Sequence, residues 1–141
     1  MIPRAIRNNN PLNIRRTGRD QWKGLSNLQK DTQFCQFETM EQGWRAVFVL
    51  LTRTYYHQHG LFTIRGIITR WAPPQDHNDT EAYIRNVSRL TGIQPDEPLG
   101  IPSMQPARWL MLGAAMHIQE SGITNIDYFA MLRGWAMARE K

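Results

Sequence analysis

Glu120, in the stretch MHIQESG, falls in the last turn of a helix that the surrounding pattern predicts. Backbone carbonyls converge at such a helix end, and their partial negative charge disfavours a carboxylate. An apolar wall would add desolvation, and both effects favour the protonated form that a general acid must keep near neutral pH. Glu120 is therefore the candidate acid, the alternative being a solvated glutamate ahead of a glycine stop. A second group lies in RAIRNNNPLNIRR, where Asn8, Asn9, Asn10 and Asn13 gather four amides in six positions. Amides offer donors and acceptors without charge, which suits them to the acetamido and hydroxyl groups of an amino sugar. Asparagines also bond their own backbone in turns, as the Asn10-Pro11 pair would. A third group is Asp79, Thr80 and Tyr83 in HNDTEAY, where Asp79 either caps the helix that follows or contributes to a site.

Other chemistry has less to stand on. Cys35 is the one cysteine, which excludes an internal disulfide, and it has no histidine partner in sequence context. His57, His59, His77 and His117 are scattered, and His57 and His59 are too close in sequence to share a helical face. No cluster has metal-ligand spacing and no glycine loop suits a phosphate. Neither a metal nor a cofactor is expected.

The elements that must position these groups are mostly helical. Residues 1–38 are rich in Asn, Arg, Gly and Gln, show no helical period, and read as loops with a short strand or turn around FCQF. Thr39 and Gln42 form a capping-box pattern that opens a long helix, in which Trp44, Val47, Phe48, Leu51 and Tyr55 recur at helical spacing until Gly60. Thr63 to Trp71 is a shorter helix that stops before Pro73 and Pro74. Asn78 or Asp79 caps a third helix, with Tyr83, Ile84, Val87 and Leu90 as its apolar stripe and Gly92 at its exit. The proline-rich segment QPDEPLGIPSMQP is a connector. Pro106 suits the first turn of a fourth helix whose apolar face includes Trp109, Leu110, Leu112, Gly113 and Met116, and a last helix from about Asn125 carries Tyr128, Phe129, Leu132 and Trp135. The whole predicts a mainly helical domain of 141 residues with an irregular, polar amino-terminal lobe.

A chain of this length with 41% hydrophobic residues can bury an ordinary core without staples. Its net charge of +5 favours polyanionic partners such as nucleic acid, anionic lipid or the bacterial cell wall. Arg4, Arg7, Arg15, Arg16, Arg19 and Lys23 cluster early but match no nucleic-acid module, so no nucleic acid is expected as partner. No apolar run approaches a membrane span, and the opening MIPRAIRNNN lacks the continuous apolar core of a signal peptide. Synthesis in the cytoplasm is expected, as a monomer, with any target beyond the membrane reached through a virion, a holin pore or a secretion system.

Three stretches carry a resemblance: RAIRNNNPLNIRRTGRDQWKGL, FCQFETMEQGWRA, and HGLFTIRGIITRWAPPQDHNDTEAYI. Together they resemble a family of small phage and prophage proteins labelled structural or virion proteins, whose hallmarks are an RNNNPGNIR opening, an FCQF-like turn and an RWAPP…NDT..Y block. The likeness runs from Arg4 to about Gly122. Leu12 stands where that family carries glycine, and QESG where it often has HENG. Shorter pieces are similar to the lysozyme superfamily, which includes soluble lytic transglycosylases and glucosaminidases. MHIQESG looks like the helix end bearing the transglycosylase glutamate. NNNPLNI looks like the glucosaminidase segment lining the sugar groove, and DTEAYIRNV looks like the helix bearing an active-site tyrosine. In those enzymes the glutamate precedes the Asn-rich loop, so their order here implies a circular permutation.

The resemblance implies a lysozyme-like, mainly helical single domain over residues 1–141 that cleaves the glycan strands of peptidoglycan. Glu120 would be the general acid, with Asn8, Asn9, Asn10, Asn13, Thr80 and Tyr83 on the substrate. A hydrolase, inverting or retaining, needs a second carboxylate, for which Asp79 is the first candidate and Asp76 the next. A lytic transglycosylase needs the glutamate alone. The rival expectation is a non-enzymatic virion or assembly protein that keeps the fold as a scaffold beside other virion or secretion proteins.

Overall fold

The computed structural model describes residues 2–140. It is mainly helical: α1 (Arg4–Arg7), α2 (Met40–Val49), a π-helical segment (Leu50–Gln58), α3 (Ile64–Trp71), a 3-10 turn (Pro74–Asp76), α4 (Thr80–Thr91), α5 (Pro106–Ser121) and α6 (Tyr128–Arg139). The chain divides into two compact units, one of residues 1–49 and 120–141 and one of residues 50–119.

In the first unit α2 lies along α6. The helix starts where Thr39 Oγ1 accepts from the Gln42 amide at 3.1 Å. The reciprocal half of the expected capping box is not made, since Gln42 Oε1 is buried without a partner. Trp44 and Phe48 stack at 5.7 Å, and Trp135 meets Phe48 edge-on at 5.1 Å. The apolar face expected for α6 is out of phase: Tyr128, Phe129 and Leu132 are exposed, whereas Ala130, Met131, Gly134 and Ala138 are buried. Small residues four apart let the α6 backbone close on α2, with Met131 and Trp135 packing beside them. A Cβ at Gly134 would lie 2.8 Å from the Arg45 amide nitrogen and 2.9 Å from the Trp44 carbonyl carbon, both backbone atoms that cannot yield. Gly134→Ala is accordingly expected to cost roughly 2–3 kcal/mol, read as a lower urea midpoint at unchanged slope.

The amino-terminal lobe of this unit contains the four-residue α1, absent from the sequence expectation because one turn leaves no periodic signal. FCQF forms no strand; it contributes two isolated antiparallel bridges, Arg15 with Phe34 and Leu25 with Phe37. Its Cys35 and Phe37 are buried, as are Leu12 and Ile14 of the asparagine-rich turn. Leu12 occupies the core, and the left-handed backbone of the turn is carried by Asn9 (φ 51°) and Asn13 (φ 53°). Asparagine tolerates that region better than other side chains with a Cβ.

The second unit is helical with a looped connector. Thr63 caps α3 through the Gly66 amide, and Asp79 caps α4 through the Ala82 amide at 3.1 Å. α3 packs on α4, burying Ile64, Ile67, Ile68, Tyr83, Ile84 and Val87, while Leu90, expected on the stripe, is exposed. Gly92 ends α4 with φ 74°. The proline-rich connector is tied to α3 where Arg65 N donates to Pro95 O and to the preceding loop where Leu99 N donates to Phe62 O. Trp109, fully buried on α5, donates its indole N–H to Gly100 O at 3.0 Å and meets the Tyr56 ring edge-on at 5.3 Å.

Candidate functional site

The asparagine run is first of all a structural device. Asn10 is completely buried; its Nδ2 donates to Ile14 O at 3.0 Å and Cys35 O at 2.9 Å, and its Oδ1 accepts from Ile14 N at 2.9 Å. Both amide hydrogens are thereby engaged by backbone, and none remains for a sugar. Asn9 Nδ2 donates to Phe37 O at 3.1 Å, and Asn8 Nδ2 to Asp31 Oδ2 at 3.0 Å. The side chains of Asn9 and Asn10 tie the turn to the FCQF segment, and that of Asn8 ties it to Asp31, as buried polar groups require. Asn13 differs. Among the described residues its side chain makes no hydrogen bond, and its Oδ1 is buried without a partner.

A cleft of about 520 Å³ opens beside this turn, lined by Arg4, Arg7, Asn8, Lys30, Asp31, Thr32 and Gln36. Asp31 is its anchor. The carboxylate accepts from Arg4 Nη2 at 2.6 Å and Nε at 3.0 Å, from Asn8, and from the amides of Gln33 at 2.8 Å and Phe34 at 3.0 Å. The Arg4 guanidinium and the other donors hold the Asp31 carboxyl well below the usual carboxylate range, against a burial that pushes the other way. Arg4 in turn lies over the Phe34 ring at 4.5 Å. A depressed folded-state pKa stabilises the fold above the unfolded value of about 4, and that stability is lost as pH falls through the folded value. Asp31→Asn is therefore expected to lower stability by roughly 2 kcal/mol at neutral pH and to flatten the acid limb of the stability–pH curve. Equal acid sensitivity in parent and variant would show that the pair contributes nothing.

Glu120 is the penultimate residue of α5 and is half-buried. It belongs to the same unit as Asn8, Asn9, Asn10 and Asn13. Asp79, Thr80 and Tyr83 belong to the second unit. Asp79 is exposed and engaged as the cap of α4, which is the structural alternative weighed for it, and Asp76 is exposed in the 3-10 turn. Thr80 is buried, donating to Ala72 O at 2.6 Å, and Tyr83 is buried at 6% exposure. Burial pushes the Cys35 thiol up to about 11, so it stays protonated and poorly nucleophilic. Among the described residues no three His, Cys, Asp or Glu side chains gather as a metal would require, and no helix is long and apolar enough to cross a membrane. The cleft residues Lys30, Asp31 and Gln36 were not singled out in the sequence. Its only signal there is the cationic run that includes Arg4 and Arg7, because the distant segments meet only when the turn has folded.

These features define a mainly helical protein whose polar amino-terminal lobe is organised by asparagine and arginine. No family model matches the chain. Over 98 residues, 68% of its length, it is 47% identical to Protein P5 of Pseudoalteromonas phage PM2, and it spans 60% of the length of that relative.

Proposed function

We propose that the chain is a phage protein acting in the virion or in its assembly. The observation that supports this reading most is the 47% identity to a phage protein over 98 residues. Particles purified from the genome that encodes the chain should contain it, as mass spectrometry would show. Its presence in infected cells but absence from both particles and assembly intermediates would count against the reading.

Glycan-strand cleavage is a second reading, favoured by a specific feature. The first unit is built from both ends of the chain, residues 1–49 and 120–141, as a permuted lysozyme-like lobe would need in order to join the glutamate segment to the Asn-rich loop. Glu120 is half-buried at the carbonyl end of α5, a setting suited to an acid that delivers a proton to the glycosidic oxygen. Asn13, whose amide nitrogen makes no hydrogen bond among the described residues and whose side chain is only partly buried, is the asparagine best suited to a sugar. Asp79 serves as a helix cap, which favours the transglycosylase-type route that needs no second carboxylate. The two readings are compatible, since a virion protein can open the wall it meets.

Tyr83 separates a core role from a site role. Tyr83→Phe removes only the hydroxyl, and the burial of the ring supports a packing role. Turnover on purified peptidoglycan is expected within about twofold of the parent, with stability lowered by less than about 1.5 kcal/mol. A clear loss of turnover at parental stability would return Tyr83 to the site.

A further inference from the structure

We infer that the cleft of the amino-terminal lobe binds the carboxylate of an acidic amino sugar between Arg7 and Lys30, with the sugar's polar groups on Thr32 and Gln36. All four residues line the same cleft, together with the Arg4–Asp31 pair. Arg4 is neutralised there by Asp31 at 2.6 Å. Arg7 and Lys30 are exposed, and among the described residues neither side chain makes an ion pair, so two cations face the cleft uncompensated. Such a pair attracts an anion, since the neighbouring Asp31 charge is already taken up by Arg4; the choice of a carboxylate as that anion rests, like that of the sugar, on the glycan reading above.

The remaining groups are neutral and polar. The Thr32 hydroxyl makes no hydrogen bond within the described chain, and Gln36 accepts from the Lys30 amide at 3.2 Å through Oε1, leaving the amide hydrogens on Nε2 to donate outward. A cleft of about 520 Å³ suits one or two sugar rings. Because Asp31 is held by five donors on Arg4, Asn8, Gln33 and Phe34, the floor of the cleft is rigid before any ligand arrives. The anion site stands on the cleft alone; the choice of a sugar as its carrier rests on the glycan reading above.

The test is an amide-resolved NMR titration of the full chain with N-acetylmuramic acid. N-acetylglucosamine, which lacks the lactyl carboxylate, acetate, which lacks the sugar, and a DNA duplex serve as comparison ligands. N-acetylmuramic acid should bind with a Kd on the order of 1 mM, shifting the amides of Arg7, Asn8, Thr32 and Gln36. Arg7→Gln and Lys30→Gln, both at exposed positions and checked for parental melting, should each weaken it about threefold to fivefold. Salt should weaken it as well. Equal binding of N-acetylglucosamine, unchanged affinity in both variants, or shifts confined to other residues would overturn the anion site. Acetate binding as tightly as the sugar acid, or DNA displacing it from the same amides, would overturn the sugar assignment. Binding by a parent protein that cleaves no wall preparation would uphold the inference while the cleavage reading failed.

Discussion

Replacing Glu120 by glutamine is expected to reduce glycan cleavage by about 10²–10⁴-fold, the usual contribution of a positioned acid. The substitution keeps the size of the side chain and its capacity for hydrogen bonds, but an amide cannot hand a proton to the departing sugar oxygen. Glu120 is half-buried in the last turn of α5, and the isosteric amide keeps the packing there, so stability should change by no more than about 1 kcal/mol. Clearance of purified peptidoglycan, followed with analysis of the released ends, reads both the rate and the route: a new reducing end marks hydrolysis, and an anhydro end marks transglycosylation. Full lysis by the glutamine variant would remove Glu120 from the chemistry and make Asp79→Asn the next comparison. A parent with no activity on any wall preparation would leave the virion role as the sole function.

The largest loss of stability is expected from Trp109→Ala, roughly 3–5 kcal/mol. The indole is fully buried in the second unit, where it meets the Tyr56 ring edge-on, and the connector is tied to it through the hydrogen bond to Gly100 O at 3.0 Å. Gly100 itself takes φ 86°, a left-handed turn that aims its carbonyl. Alanine leaves a void the size of an indole and an orphaned carbonyl in the loop. Trp109→Phe separates the two contributions, since it keeps most of the ring volume and loses the N–H; a decrease of about 1–2 kcal/mol is expected there. Urea unfolding measures both, and an alanine variant as stable as the parent would mean that the ring does not support this core.

Where local rules decide the outcome, the chain could be read without its structure. Helix boundaries followed from short-range chemistry: Thr63 and Asp79 cap α3 and α4, Gly92 ends α4, and the prolines after Trp71 stop α3. Capping and steric exclusion act over three or four residues, so residue type and spacing suffice. The same holds for the placement of Glu120 in the final turn of α5 and for the turn-forming nature of the asparagine run. The mainly helical class and the irregular first lobe were legible for the same reason.

Contacts between distant segments could not be read in this way. The α6 face was assigned from its large side chains, yet Ala130, Gly134 and Ala138 are buried beside Met131, because at Gly134 the backbone of α2 approaches too closely for a side chain. The π-helical geometry of Leu50–Gln58 has the same apolar spacing as an ordinary helix, which periodicity does not distinguish. Three of the asparagines have side-chain partners more than twenty residues away: Asp31 for Asn8, Phe37 for Asn9 and, beside its local bonds to Ile14, Cys35 for Asn10. An amide serves equally well in a turn, a core or a sugar groove, so its type fixes the capacity for hydrogen bonding and only the tertiary structure selects the partner. The cleft follows that logic. Composition determined that the lobe is cationic; the pairing of Arg4 with Asp31 determined which cations, Arg7 and Lys30, remain available to a ligand.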